Sequence, residues 1–273
     1  MERTIITMKK TNILIFIFLG FCFFVVNTKA ASDENRHLTI KLDSILSKHF
    51  KPDAPGCAVL VSRKEQIVYR KAFGMADLEL NVAMQADMVF EIASITKEFT
   101  AIAIMQLVEQ GKINLEDPIE KYIPDYPTHG YKITIGHLLS NTSGIKDYGE
   151  MKQLNPKIWR VDHTPTDFIA FFKKEEMEFA PGRQYKYSNS GFFLLGCIIE
   201  KMSEMTYEDY LEQKIFEPAG MTNTGYNSYS KIITNRVKGY SKNDNGYENG
   251  EYVSPSIFYS AGGLQSSQTA MIT

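Results

Sequence analysis

The stretch Phe90-Glu91-Ile92-Ala93-Ser94-Ile95-Thr96-Lys97-Glu98-Phe99 constrains this chain more than any other. A short apolar lead-in turns there into a helix carrying a serine and, three residues later, a lysine. At a spacing of i, i+3 two side chains stand one turn apart on one helical face, so the Lys97 amine reaches the Ser94 hydroxyl. A serine hydroxyl is a poor nucleophile at neutral pH, and an adjacent unprotonated amine can take its proton during attack. The helix that follows is almost wholly apolar, with Phe99, Ile102, Ile104, Met105, Leu107 and Val108. That composition predicts a core helix with a partly desolvated first turn, and desolvation lowers a lysine pKa. The plain alternative is a helix-capping serine beside a solvated lysine, because Ser-x-x-Lys arises by chance. Against it, a first-turn lysine opposes the helix dipole, which prefers carboxylates there. A second polar motif, Tyr187-Ser188-Asn189, also stands at the entrance of a later apolar helix.

With 273 residues, 44% of them hydrophobic, the chain can bury a sizeable core in one large or two small domains. The net charge of -2 and the interspersed acids and bases provide no basic field, which excludes nucleic acid as a partner. Residues 1–30 read as an export signal: Lys9 and Lys10, an apolar run from Ile13 to Val26, then small residues for cleavage near Ala30. The run is shorter than the roughly 20 apolar residues a spanning helix needs, so cleavage is favoured and membrane association would come only through an uncleaved signal. The expected location is therefore outside the cytoplasm, periplasmic or secreted, with residues 31–273 forming the functional domain. There Cys57, in an apolar strand, and Cys197, in an apolar helix, are expected as buried free thiols rather than a disulfide. Neither has a second cysteine or a histidine at ligand spacing, so no metal site is proposed.

Along the chain, residues His37 to His49 carry apolar side chains at helical spacing, and Pro52 and Pro55 follow. Cys57–Ser62 and Ile67–Phe73 read as two strands of a hairpin, joined by a polar link without the Asn-Gly or Asp-Gly that would secure its register. The Ser94 helix runs toward Gly111, and a mostly helical region follows. It includes Ile135–Ser140, a helix from Pro165 to Lys174 capped by Thr164, one from Phe192 to Met202 capped by Asn189 or Ser190, and one after Thr206 reaching Phe216. His137 and His163 each lack a partner at useful spacing and are assigned structural roles. Beyond Gly225 the sequence reads as loop until Tyr259, and Ser266, Ser267 and the stretch Gln268–Thr273 read as the start of a helix.

Together these residues resemble the serine β-lactamase and penicillin-binding-protein superfamily, in its class C-like branch, which also holds D-Ala-D-Ala carboxypeptidases and esterases. Ser94-Ile95-Thr96-Lys97 fits its Ser-x-x-Lys element, and Tyr187-Ser188-Asn189 fits the Tyr-x-Asn of this branch. Leu138-Leu139-Ser140-Asn141-Thr142-Ser143-Gly144, Phe179-Ala180-Pro181-Gly182 and Ser260-Ala261-Gly262-Gly263-Leu264 match as well. The resemblance implies an α+β fold: an antiparallel sheet flanked by helices, with a second, mostly helical domain. It makes Ser94 the acylated nucleophile, Lys97 its proton partner, Tyr187 a general base or proton relay, and Asn189 a donor to the substrate amide. It implies no cofactor, and a small molecule or peptidoglycan peptide as the substrate: a β-lactam, a D-Ala-D-Ala peptide or a small ester. The family's third motif, Lys-Thr-Gly or His-x-Gly, is absent, and only 86 residues follow Tyr187 (273 minus 187). The sequence accordingly reads as incomplete at its C-terminus, lacking central strands. The competing expectation is a non-catalytic, ligand-binding remnant.

Overall fold

The computed structural model describes residues 35–272, so the export signal expected in residues 1–30 lies outside the described residues. The chain divides into two compact units, one ending at Gln85 and one beginning at Ala86. In the first, helix α1 spans residues 35–49. Strands β1 (Cys57–Arg63) and β2 (Gln66–Phe73) pair antiparallel, from Cys57 opposite Phe73 to Arg63 opposite Gln66, with an irregularity between Val61 and Ser62. The hairpin closes in two residues, Lys64 and Glu65, both at positive φ (49° and 63°). That backbone twist is the one a tight hairpin requires, and here it is met without glycine or asparagine. Asp43 of α1 accepts from Tyr69 Oη at 2.8 Å and Lys71 Nζ at 2.6 Å, which ties the helix to β2. A small antiparallel pair, β3 (Met75–Asp77) with β4 (Val82–Ala83), completes this unit.

The second unit is mostly helical. Strand β5 (Val89–Glu91) leads through a 3₁₀ turn at Ala93–Ile95 into α2 (Thr96–Glu109), and short helices α3 (Ile135–Leu139) and α4 (Pro156–Trp159) follow. Helix α5 (Pro165–Phe172) starts as its sequence predicts, with Thr164 Oγ1 accepting from the Asp167 N–H and proline at the first position. Helix α6 (Asn189–Ser203) is the centre of the core. Phe193, Leu194, Leu195, Ile198 and Ile199 are all fully buried on it. Its cap is Ser188, whose Oγ accepts from the Gly191 N–H, so neither Asn189 nor Ser190 holds that place. With Ser188 as the cap, the Asn189 side chain is available to other partners. Helix α7 (Tyr207–Leu211) keeps the predicted Thr206 cap but winds as a π-turn from Glu212 to Phe216.

After β6 (Gly225–Tyr226) the presumed loop is structured. Strands β7 (Tyr240–Asn243) and β8 (Gly246–Asn249) form a hairpin, and α8 (Pro255–Gly262) begins behind the cap Ser254 with proline at its start. Ser266 and Ser267, expected to begin a helix, lie instead in strand β9 (Leu264–Ser267), the centre of the antiparallel sheet β5-β9-β6, where pairing with β5 holds them extended. Among the described residues the 3₁₀ turn Ala270–Ile272 follows it. Glu91 lies opposite Gln265, and Gly225 pairs with Gln265 from the other side. The fold is thus mixed α and β, with small antiparallel sheets and helices, as the resemblance implies. Where α6 meets α8, a β-carbon on Gly196 would fall 2.2 Å from Ser260 Oγ and 2.5 Å from a Tyr259 ring carbon. Only glycine lets the two helices come this close.

Candidate active site

Ser94 sits at the end of β5, in the 3₁₀ turn that opens α2, and is exposed. The residue before it, Ala93, is held at φ +44°. A non-glycine residue there is strained by roughly 1–3 kcal/mol, and such strain persists where surrounding structure fixes it. Lys97, in the first turn of α2, is only 7% exposed. Its Nζ lies 3.2 Å from Ser94 Oγ, 2.8 Å from Asn189 Oδ1 and 2.6 Å from the Ala261 carbonyl. The rings of Tyr187 and Phe192 stand 4.7 and 5.5 Å away, attracting its charged form. Burial nevertheless lowers the lysine pKa to about 8, against an opposing pull from Asp147. At neutral pH roughly a tenth of the molecules then carry the free amine.

The three partners of Nζ define what this amine can do. Ala261 O and Asn189 Oδ1 are acceptors only, so they fix two N–H bonds in either protonation state. The remaining tetrahedral position faces Ser94 Oγ. It holds a third N–H when the lysine is charged and a lone pair when it is neutral. Ser94 Oγ is also 2.6 Å from Tyr187 Oη, so the serine has two proton partners, one buried and one at the surface. Tyr187 is 39% exposed and connects this chain of groups to the cavity mouth.

The Ala261 carbonyl reaches Lys97 because α8 is strapped to α2 by buried polar bonds. Thr100 Oγ1 donates to the Ser260 carbonyl at 2.7 Å, and Thr96 Oγ1 accepts from the Leu264 N–H at 3.1 Å. Asn189 is oriented from its other end. Its Nδ2 donates to Asp147 at 3.0 and 3.3 Å, and Asp147, 6% exposed, also accepts from the Gly149 N–H at 2.9 Å. A carboxylate accepts only, so Asp147 forces the Asn189 amide to turn its oxygen toward Lys97. Asp147 was not singled out by sequence reasoning. Its neighbours carry no signal for it, because its role comes from Asn189, 42 residues away, and an acid in this loop reads as surface.

All four residues selected from the sequence are therefore joined in one hydrogen-bonded chain. The two histidines stand elsewhere. His137 Nδ1 accepts from the Thr134 N–H in a reciprocal helix cap, and the His163 ring nitrogen Nε2 pairs with the Ile158 carbonyl. Cys57 and Cys197 are both free thiols, each partly buried. The chain of groups opens into a cavity of about 310 Å³, whose apolar wall includes Leu154, Val253, Ile257 and Phe258.

The family model described as Beta-lactamase matches residues 42–273. The chain belongs to this family. Among curated proteins it is 33% identical over 194 residues to penicillin-binding protein 4* of Bacillus subtilis, covering 70% of this chain and 42% of that one. Among solved structures, a penicillin-binding protein from Bacillus halodurans aligns with TM-score 0.74 at 31% identity, covering 84% of this chain and 70% of its own. A D-amino acid amidase from Ochrobactrum anthropi SV3 aligns with TM-score 0.75 at 26% identity, covering 85% and 68%. The chain spans less than half the length of these curated relatives, 42% of penicillin-binding protein 4* and 40% of protein flp of Staphylococcus aureus. The family is one of serine hydrolases built on the β-lactamase fold, as the two sequence motifs lead one to expect. Among the described residues, no helix is long and apolar enough to cross a membrane.

Proposed function

We propose that this chain carries the acylation centre of an exported serine hydrolase of the class C-like type, cleaving an amide or ester through an acyl-enzyme. The observation that carries the reading is the double engagement of Ser94 Oγ, 2.6 Å from Tyr187 Oη and 3.2 Å from Lys97 Nζ, at the mouth of an apolar cavity. In the forward step Ser94 Oγ bonds to the substrate carbonyl carbon while its proton passes to the neutral Lys97 amine, or along Tyr187 Oη, which gives up its own proton toward the leaving group as it takes this one. The bond to the leaving amine or alcohol then breaks, and that group takes the same proton. Water reverses the sequence, releasing the acid and restoring the serine. Asn189 holds Lys97 by its Oδ1. Its Nδ2 has two hydrogens, so one against Asp147 leaves another for the substrate amide. The Ser94 backbone N–H serves as one oxyanion donor, a kind of contact commonly worth about 3–4 kcal/mol in the transition state. A β-lactam, a D-Ala-D-Ala peptide and a small ester all satisfy this chemistry.

The test is covalent labelling with a serine-reactive acylating probe followed by peptide mapping. We expect the label on Ser94 and its loss in Ser94→Ala. Label on another serine, or undiminished label in that variant, overturns the assignment.

A further inference from the structure

Tyr187 is 39% exposed, too open for packing alone to hold its hydroxyl 2.6 Å from Ser94 Oγ. Its restraint comes from a loop that the acylation chemistry does not otherwise use. The Asn141 carbonyl accepts from the Lys186 N–H at 2.9 Å, and the Asn141 side-chain Oδ1 accepts from the Ser188 N–H at 3.1 Å. One residue thus bonds to the chain on both sides of Tyr187. Further rungs join the same two segments: the Thr142 carbonyl accepts from the Gly182 N–H at 2.8 Å, and the Gly144 carbonyl from the Glu178 N–H at 2.9 Å. Lys186 also bridges Glu150 and Glu178, at 2.7 and 2.6 Å, but both pairs lie at the surface, where ion pairs are weak restraints.

The plain explanation for Asn141 is helix capping, and it covers only half of what the residue does. Asn141 has φ +55° and follows α3 as the left-handed residue of a Schellman motif, in which the Thr142 N–H donates to the His137 carbonyl at 2.9 Å and the Asn141 N–H to the Leu138 carbonyl at 3.2 Å. That motif uses backbone alone, and glycine serves there at least as well. Capping accounts for the backbone conformation and leaves the bond from Ser188 to the side chain unexplained. Resting on the acylation reading, we propose that Asn141 is a positioning residue for Tyr187, pinning residues 186 and 188 so that Oη stays on Ser94 Oγ for the proton relay. Proton transfer needs a short, aligned hydrogen bond, and a displacement of about 1 Å can cost up to about 100-fold in rate. Ser188 caps α6 as well, so the same bond sets Tyr187 against the start of the helix that carries Asn189.

The experiment is single-turnover acylation of Ser94 by a chromogenic ester, with thermal melting of every protein. Asn141→Gly keeps the left-handed turn and removes only the side-chain acceptor, so it should melt close to wild type and acylate about tenfold more slowly. Asn141→Asp keeps an acceptor and tolerates the same φ, and should restore most of the rate. In a Tyr187→Phe background Asn141→Gly should cause no further fall, a non-additivity that a merely structural role would not produce. Wild-type acylation by Asn141→Gly, an equal fall in both backgrounds, or a slow but folded Asn141→Asp overturns the positioning role while the hydrolase reading stands. Undiminished acylation in Tyr187→Phe alone also overturns it, since there is then no relay to position. If wild type itself never acylates Ser94, the hydrolase reading has failed and the positioning role with it.

Discussion

Asp147→Asn tests the electrostatic logic of the site most directly. Asp147 reaches Lys97 only through Asn189: 2.8 Å from Nζ to Oδ1, the width of one amide, then 3.0 Å from Nδ2 to the carboxylate. The charges are thus separated by roughly 7 Å, where an effective dielectric near 20 gives about 2 kcal/mol of attraction, equivalent to roughly one and a half pH units. Water at the cavity mouth reduces this toward about one. The sign follows from the chemistry. Burial holds the Lys97 amine at about 8 while Asp147 pulls it upward, so removing that charge lowers it further. The free amine then persists at lower pH, and the acid limb of the acylation rate moves about one pH unit toward acid. The assay is single-turnover acylation by a chromogenic ester across pH 5 to about 9, with thermal melting of both proteins as the control for folding. A limb that stays in place, or moves toward alkali, in a variant that melts normally would refute both the coupling and the role of the amine as base.

Two further perturbations separate chemistry from packing. Tyr187→Phe keeps the ring that faces Lys97 and should melt as wild type, while acylation falls by about 10²-fold or more if Oη relays the proton; unchanged turnover assigns the whole transfer to Lys97. Gly196→Ala puts a methyl group 2.2 Å from Ser260 Oγ, so α6 and α8 must part. We expect a loss of about 1–3 kcal/mol in denaturant unfolding with slower acylation, and an unchanged midpoint would show that the crossing is looser than described.

The elements that sequence reading located well are those whose signals are local. Thr164-Pro165 and Thr206 announce helix starts by chemistry confined to a few residues, and the Ser94–Lys97 spacing needs only one helical turn. The losses are informative in the same terms. The two-residue turn at Lys64 and Glu65 was obscured because neither residue favours positive φ, and the cost is met by the paired strands. Helix α8 carried a readable Ser254-Pro255 start, yet the polar stretch before it dominated the reading. Strand β9 was missed because Gln265, Ser266 and Ser267 are all buried, so no alternation of polar and apolar residues marks it. Asp147 could not be chosen from its neighbours, since its role depends on Asn189, 42 residues away.

The bond from Lys97 to the Ala261 carbonyl joins residues 164 positions apart. Closing a loop of that length comes late in folding, after local helices have formed. Until α8 docks, the lysine remains solvated, with the ordinary high pKa of an exposed amine, and Ser94 has a proton donor beside it rather than an acceptor. On the acylation reading, reactivity at Ser94 is therefore a property of the assembled core and not of the Ser-x-x-Lys segment. On the same reading, a folding chain stays chemically quiet until α8 packs against α2, and acyl-enzyme can form only once that packing is in place.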